Sequence, residues 1–211
     1  LIANIDEGIR TFIETFEDAT RESRITLCQR FIDLVEKHLN KLSVEQVQIL
    51  ASHRARQIFL EGEFEKTKDR MQELLISNEI SAEWRINALI LKGNAEIRLG
   101  EVGASIHDFD QAVKLSQANK LKVLEIKSLT ALGWANRLTG NLDLAQKKYQ
   151  VARKLCLDEG GAQRQDLTEI YGLILNNYAF ALSNDNRTRR AAIDTAHTAI
   201  KHWKEVRNDI G

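Results

Sequence analysis

The pattern that most constrains this chain is a repeat. Gly93-Asn94-Ala95, Gly100, Phe109 and Ala112 return 40 residues later as Gly133-Trp134-Ala135, Gly140, Tyr149 and Ala152. Self-similarity at such a period implies stacked helical hairpins, each too small to bury its apolar face alone. A stack of this kind offers a long surface for binding, and no part of the sequence reads as a catalytic site.

Helix stops set the hairpins. Glu61-Gly62-Glu63, Leu99-Gly100-Glu101 and Thr139-Gly140-Asn141 each put Gly where a helix C-terminus wants a left-handed residue. Apolar-periodic segments on either side predict hairpins over Val44 to Ser77, Ala82 to Ala118, Leu121 to Asp158 and Leu167 to Arg207. In the last, Asn176-Asn177-Tyr178-Ala179 takes the place of Gly93-Asn94-Ala95, and Ala192, Ala196 and Ala199 follow on the second helix. A divergent hairpin over residues 1–40, with helices from Ile5 to Phe16 and from Ile25 to Leu39, is expected ahead of them.

Composition agrees with an all-helical reading. Proline is absent from all 211 residues, where average usage would give about ten, and inside a helix each proline costs about 3 kcal/mol. No alternating β-branched run bounded by turn signals supports a strand. Gly93 and Gly133 should let the two helices of a hairpin approach closely, Ala112, Ala152 and Ala199 should let hairpins stack, and Phe109 and Tyr149 should fill the space between.

Charge and chemistry exclude several classes. Lys+Arg and Asp+Glu are 30 each, so no overall field steers the chain to nucleic acid or an anionic membrane. Apolar runs fall well short of a bilayer span and no signal-like segment opens the chain, which makes cytoplasmic residence the default expectation. Cys28 and Cys156 lie among helical apolar residues and read as buried free thiols. His38, His53, His107, His197 and His202 make no metal-ligand spacing, and neither a phosphate loop, a nucleophile elbow nor a zinc pattern is present. The expectation is a protein that is not an enzyme and needs no cofactor or metal. Beginning at Leu1 and ending at Gly211, it reads as a piece of a longer protein.

The residues resemble the tetratricopeptide repeat (TPR), whose pattern is a small residue late in the first helix, Gly at the turn, then Ala, an aromatic residue and Ala on the second. Gly93-Asn94-Ala95, Gly100, Ser105, Phe109 and Ala112 fit, and Gly133-Trp134-Ala135, Gly140, Ala145, Tyr149 and Ala152 fit best. The hairpin around Gly62 departs from it with Ala55, Thr67, Met71 and Leu74 at the corresponding places, and the closing proline is missing throughout. The resemblance implies an all-α, right-handed solenoid of about five antiparallel hairpins. The repeats would occupy about 43–78, 82–118, 121–158 and 164–207 of one continuous solenoid over 41–211. More weakly, the long repeats and the Ala-rich final helix are similar to the sensor arrays of multidomain signalling ATPases and transcriptional regulators.

In that family the first helix of each hairpin lines a concave groove. Carried over, the register presents Ser52, His53 and Arg56, then Asn87, Asn94 and Arg98, then Lys127, Thr130, Trp134 and Arg137, and finally Tyr171 and Tyr178. Four of these are cationic and none is acidic. Such a groove suits a protein or peptide partner with a carboxylate or an acidic segment, whose backbone Asn94 could bind. Ordinary solvated and packing residues on a helix face would look the same. The leading reading is a protein-interaction scaffold of unknown oligomeric state. Alternatives are a regulatory array that contacts an effector domain of the same protein, and an RNA-binding helical repeat, which zero net charge disfavours.

Overall fold

The computed structural model describes residues 44–76 and 80–208; the hairpin expected over residues 1–40 lies outside them. Every regular element in the described residues is helical. In order these are α1 (Val44–Leu60), α2 (Phe64–Ile76), α3 (Ala82–Arg98), α4 (Val102–Ala118), α5 (Lys122–Leu138), α6 (Leu142–Asp158), α7 (Gln165–Ser183) and α8 (Arg189–Asn208), with a short 3-10 turn at Gly161–Gln163. No described helix is long and apolar enough to cross a membrane. The chain divides into two compact units, one ending at Leu99 and one beginning at Gly100.

In the first unit, α1 stops where Gly62 takes a left-handed φ of 86°. That turn lets the Glu63 amide donate back to the Ile58 carbonyl at 3.1 Å, satisfying one of the carbonyls a helix end leaves free. Ala55, Met71 and Ala88, one from each of α1, α2 and α3, form a buried cluster against which Leu74, Leu75 and Leu91 pack. At the start of α3 the Ser81 hydroxyl accepts from the Trp84 amide at 3.3 Å, the usual N-cap bond. Arg85 donates to the Leu75 carbonyl at 2.8 Å, tying α3 to the last turn of α2.

The second unit repeats the same solution. Three-residue connections join α4 to α5 and α5 to α6, each helix packs on the next, and α5 also touches α7. Short connections make sequential helices antiparallel neighbours. Phe109, Ala112, Ile126, Ala145, Tyr149 and Ala152 are fully buried. A Cβ built on Gly133 would stand 2.7 Å from the Tyr149 ring, so the missing side chain is what seats that ring. Burying an aromatic side chain of this kind stabilises by roughly 2–3 kcal/mol. Tyr149 and Tyr178 have ring centroids 6.5 Å apart, and both belong to a cluster with Ala145, Ala181, Leu182 and Ala192.

Several buried polar groups in this unit are bonded locally. Ser128, Thr130 and Asn136 donate to carbonyls one turn earlier at 2.7 to 2.8 Å, which lets polar residues sit inside a helix layer without an orphaned donor. The buried Glu125 carboxylate accepts from Gln117 at 3.0 Å and from Lys122 at 2.9 Å, one partner for each oxygen. The longer connection from α6 to α7 is held by Arg164, which pairs with both oxygens of Asp166 and with Glu159 at 3.1 Å. Cys156 is a buried free thiol, and burial pushes its pKa up to about 11, which keeps it protonated and unreactive at neutral pH.

Candidate functional site

In the first unit the candidates fall on two helix stripes. Ser52 and Arg56 are one turn apart on α1, and Asn87, Asn94 and Arg98 are spaced by seven and four on α3, so each set shares one face. Arg56 and Arg98 are exposed, while Ser52, Asn87 and Asn94 are half-buried. His53 differs from the others, being buried with 7% exposure. Burial, with the Arg56 charge added to it, lowers its pKa to about 4. At neutral pH His53 is an uncharged packing residue, and the cationic character of this face comes from the two arginines.

On α5 of the second unit, Lys127 is exposed and Trp134 and Arg137 are half-buried. Thr130 is buried, its hydroxyl spent on the Ile126 carbonyl. Arg137 lies beside the Tyr149 hydroxyl, whose pKa burial raises and the arginine pulls back. Its guanidinium carbon also stands 5.7 Å from the centre of the Phe180 ring, within reach of a cation–π contact.

Tyr171 and Tyr178 occupy a different place from the one the register assigned them. Both are buried, at 9% and 8% exposure. Tyr171 packs edge-on against His202 with centroids 5.3 Å apart, and the Tyr178 hydroxyl accepts from Gln150 at 2.8 Å. The burial pattern of α5 recurs in α7 displaced by 46 residues, so that Leu129, Leu132, Gly133 and Ala135 answer to Leu175, Tyr178, Ala179 and Ala181. Six residues, Glu159 to Arg164, connect α6 to α7 where three join the earlier helices, and this accounts for part of the slip. On the corrected register the counterparts of Lys127 and Trp134 are Leu173 and Phe180, which are 49% and 55% exposed. The Arg137–Phe180 contact brings the end of this stripe on α5 against Phe180 of α7. A signal for them was present, since Gly133-Trp134-Ala135 and Ala179-Phe180-Ala181 share a small–aromatic–Ala pattern.

The resulting face of α5 and α7 holds two aromatic residues, Trp134 and Phe180, a leucine, and the cations Lys127 and Arg137. The acidic residues of α7, Asp166 and Glu169, are confined to its first two turns. Such a face can stack on apolar or aromatic groups and pair with carboxylates, and it contains no nucleophile and base in contact.

No protein-family model and no curated protein matches this sequence. Solved structures do match. A protein of Podosopora anserina, assigned as a kinesin light chain with nearly identical TPR-like repeats, superposes with a TM-score of 0.62 at 12% identity, and a substituted form of the same protein with 0.64, each over 98% of both chains. BtubC (BKLC) from P. vanneervenii gives 0.57 at 14% identity, over 90% of this chain and 91% of its own. The fold is TPR-like. In TPR-like terms Gly133 is the small residue late in the first helix and Tyr149 the aromatic residue of the second, and their contact is the close packing expected from the spacing of small and aromatic residues.

Proposed function

We propose that this chain is a protein-interaction module that receives a partner polypeptide on the α5–α7 face of its second unit. TPR-like folds generally mediate protein–protein contacts. One observation carries the more specific reading: Phe180 stands exposed against Arg137, and the half-buried Trp134 shares a face of α5 with Lys127 and Arg137. Aromatic residues at the surface beside cations are the composition of binding hot spots. A matching partner segment carries an apolar or aromatic residue next to Asp, Glu or a chain-terminal carboxylate. On the first unit, Arg56, Asn94 and Arg98 form a second polar face of the same sign, suited to an extended peptide backbone and its carboxylates.

The test uses labelled peptides, acidic with one Trp or Phe, and counterparts in which the acids are replaced by lysine. Binding of the acidic set, weakened at least tenfold by Lys127→Glu with Trp134→Ala, is the expected result. Equal binding of both sets, or of both proteins, would contradict it. Aromatic residues with Lys and Arg also fit single-stranded RNA; a labelled oligonucleotide in the same assay, retained with strong salt dependence, would move the assignment to that class.

A further inference from the structure

The last helix carries an apolar stripe on its outer side. Ile193 and Ile200 are 47% and 52% exposed, and Trp203 at the edge of the stripe is 37% exposed. The corresponding side of α6 shows what such a stripe is built to meet. Ala145 and Ala152 of α6 and Ala192 and Ala199 of α8 are all buried, each pair 47 residues apart. On that register Gln146, Gln150 and Arg153 of α6 answer to Ile193, His197 and Ile200 of α8. Gln146 donates to the Ala181 carbonyl at 3.0 Å and Gln150 to the Tyr178 hydroxyl at 2.8 Å. This side of α6 therefore contacts α7, with Gln146 and Arg153 half-buried and Gln150 still exposed.

Charge fits the same arrangement. α6 carries Lys147, Lys148, Arg153 and Lys154 against Asp143 and Asp158, and α7, which packs on it, has Glu169 and Asp166, the latter paired with Arg164, and no basic residue. α8 repeats the surplus of α6, its sequence carrying Arg189, Arg190, Lys201, Lys204 and Arg207 against Asp194 and Glu205. On a helical wheel Arg189 and Lys204 lie beside Ile193 and Ile200, while Arg190 and Lys201 lie further round, where they pair with Asp194 at 3.5 Å and Glu205 at 3.8 Å. We propose that the Ile193–His197–Ile200 side of α8 docks an amphipathic α-helix with an apolar stripe and acidic flanks, held as α7 is held on α6. A second copy of α8 is a poorer occupant, because it brings the same positive surplus to the contact.

The experiment measures fluorescence anisotropy of a designed Leu/Glu helical peptide, with leucines at i, i+3, i+4 and i+7, against the full chain. A Leu/Lys peptide of the same pattern is the charge control. The expected result is saturable binding of the Leu/Glu peptide, at least tenfold stronger than that of the control and weakened at least tenfold by Ile200→Glu. Ile200 is exposed, and circular dichroism confirms that the variant keeps its fold. Lys127→Glu with Trp134→Ala leaves this binding unchanged, which separates the surface from the α5–α7 face. Equal binding of the two peptides or no response to Ile200→Glu would overturn the proposal. So would a dimer that Ile200→Glu dissolves, or co-sedimentation with phosphatidylserine vesicles in place of peptide binding.

Discussion

Lys120 does a job that glycine does elsewhere in this chain. It ends α4 at φ 56°, the one left-handed non-glycine among the described residues, while the Leu121 amide closes onto the Ser116 carbonyl at 2.9 Å. Gly140 closes α5 in the same way at φ 79°. A side chain in that conformation costs about 1 kcal/mol, so Lys120→Gly should stabilise by roughly 0.5–1 kcal/mol in urea unfolding. Gly133 gives the opposite case, because its absent Cβ is the seat of a fully buried Tyr149 ring. Gly133→Ala should destabilise by about 1–3 kcal/mol, read from the same unfolding curves. His53 adds a pH dependence. Its folded pKa, about 4, lies below its ordinary 6.5, so the unfolded chain binds the proton first as pH falls. The stability from neutral His53 is complete above pH 6.5 and lost between 6.5 and 4, by about 3 kcal/mol. Comparing unfolding at about pH 7 and about pH 4.5, His53→Gln should lose less than the native chain, and Arg56→Glu should also reduce the loss.

α7 separates what the sequence reveals about an element from what it conceals. Gly62, Gly100 and Gly140 punctuate the chain because left-handed turns favour glycine, and all three have positive φ in the structure. The small–aromatic–small pattern around Gly133 and Tyr149 is legible for a related reason, since close helix approach leaves little freedom in residue size. Register in α7 lacks such a marker. The longer connection before it shifts the pattern, and tyrosine serves inside or outside a helix layer equally well once its hydroxyl has a partner such as Gln150. Thr130 was concealed for the same reason, its hydroxyl being satisfied within its own helix. The two readings of α7 predict different mutants. Tyr178→Ala should cost about 3 kcal/mol or more of stability, as core aromatic deletions do. Phe180→Ala should stay within about 0.5 kcal/mol of the native chain while weakening partner binding, which thermal unfolding and peptide titration together will show. Equal destabilisation by both would return the surface position to Tyr178.

Taken as a whole the chain is neutral, so recognition rests on local groups instead of a long-range field. Among the described residues each unit presents cations on its first-helix faces, Arg56 and Arg98 on one, Lys127 and Arg137 on the other, and the second adds an exposed aromatic residue, Phe180, and the half-buried Trp134. Binding is therefore predicted to concentrate on the second unit and to be moderately salt-sensitive. The most direct test immobilises the full chain and compares what it retains from a native cell extract with what a folded Lys127→Glu, Trp134→Ala, Phe180→Ala variant retains. A polypeptide held by the native chain and lost by the variant is the predicted result. Equal retention by the two, or retention by neither, would contradict recognition through the α5–α7 face.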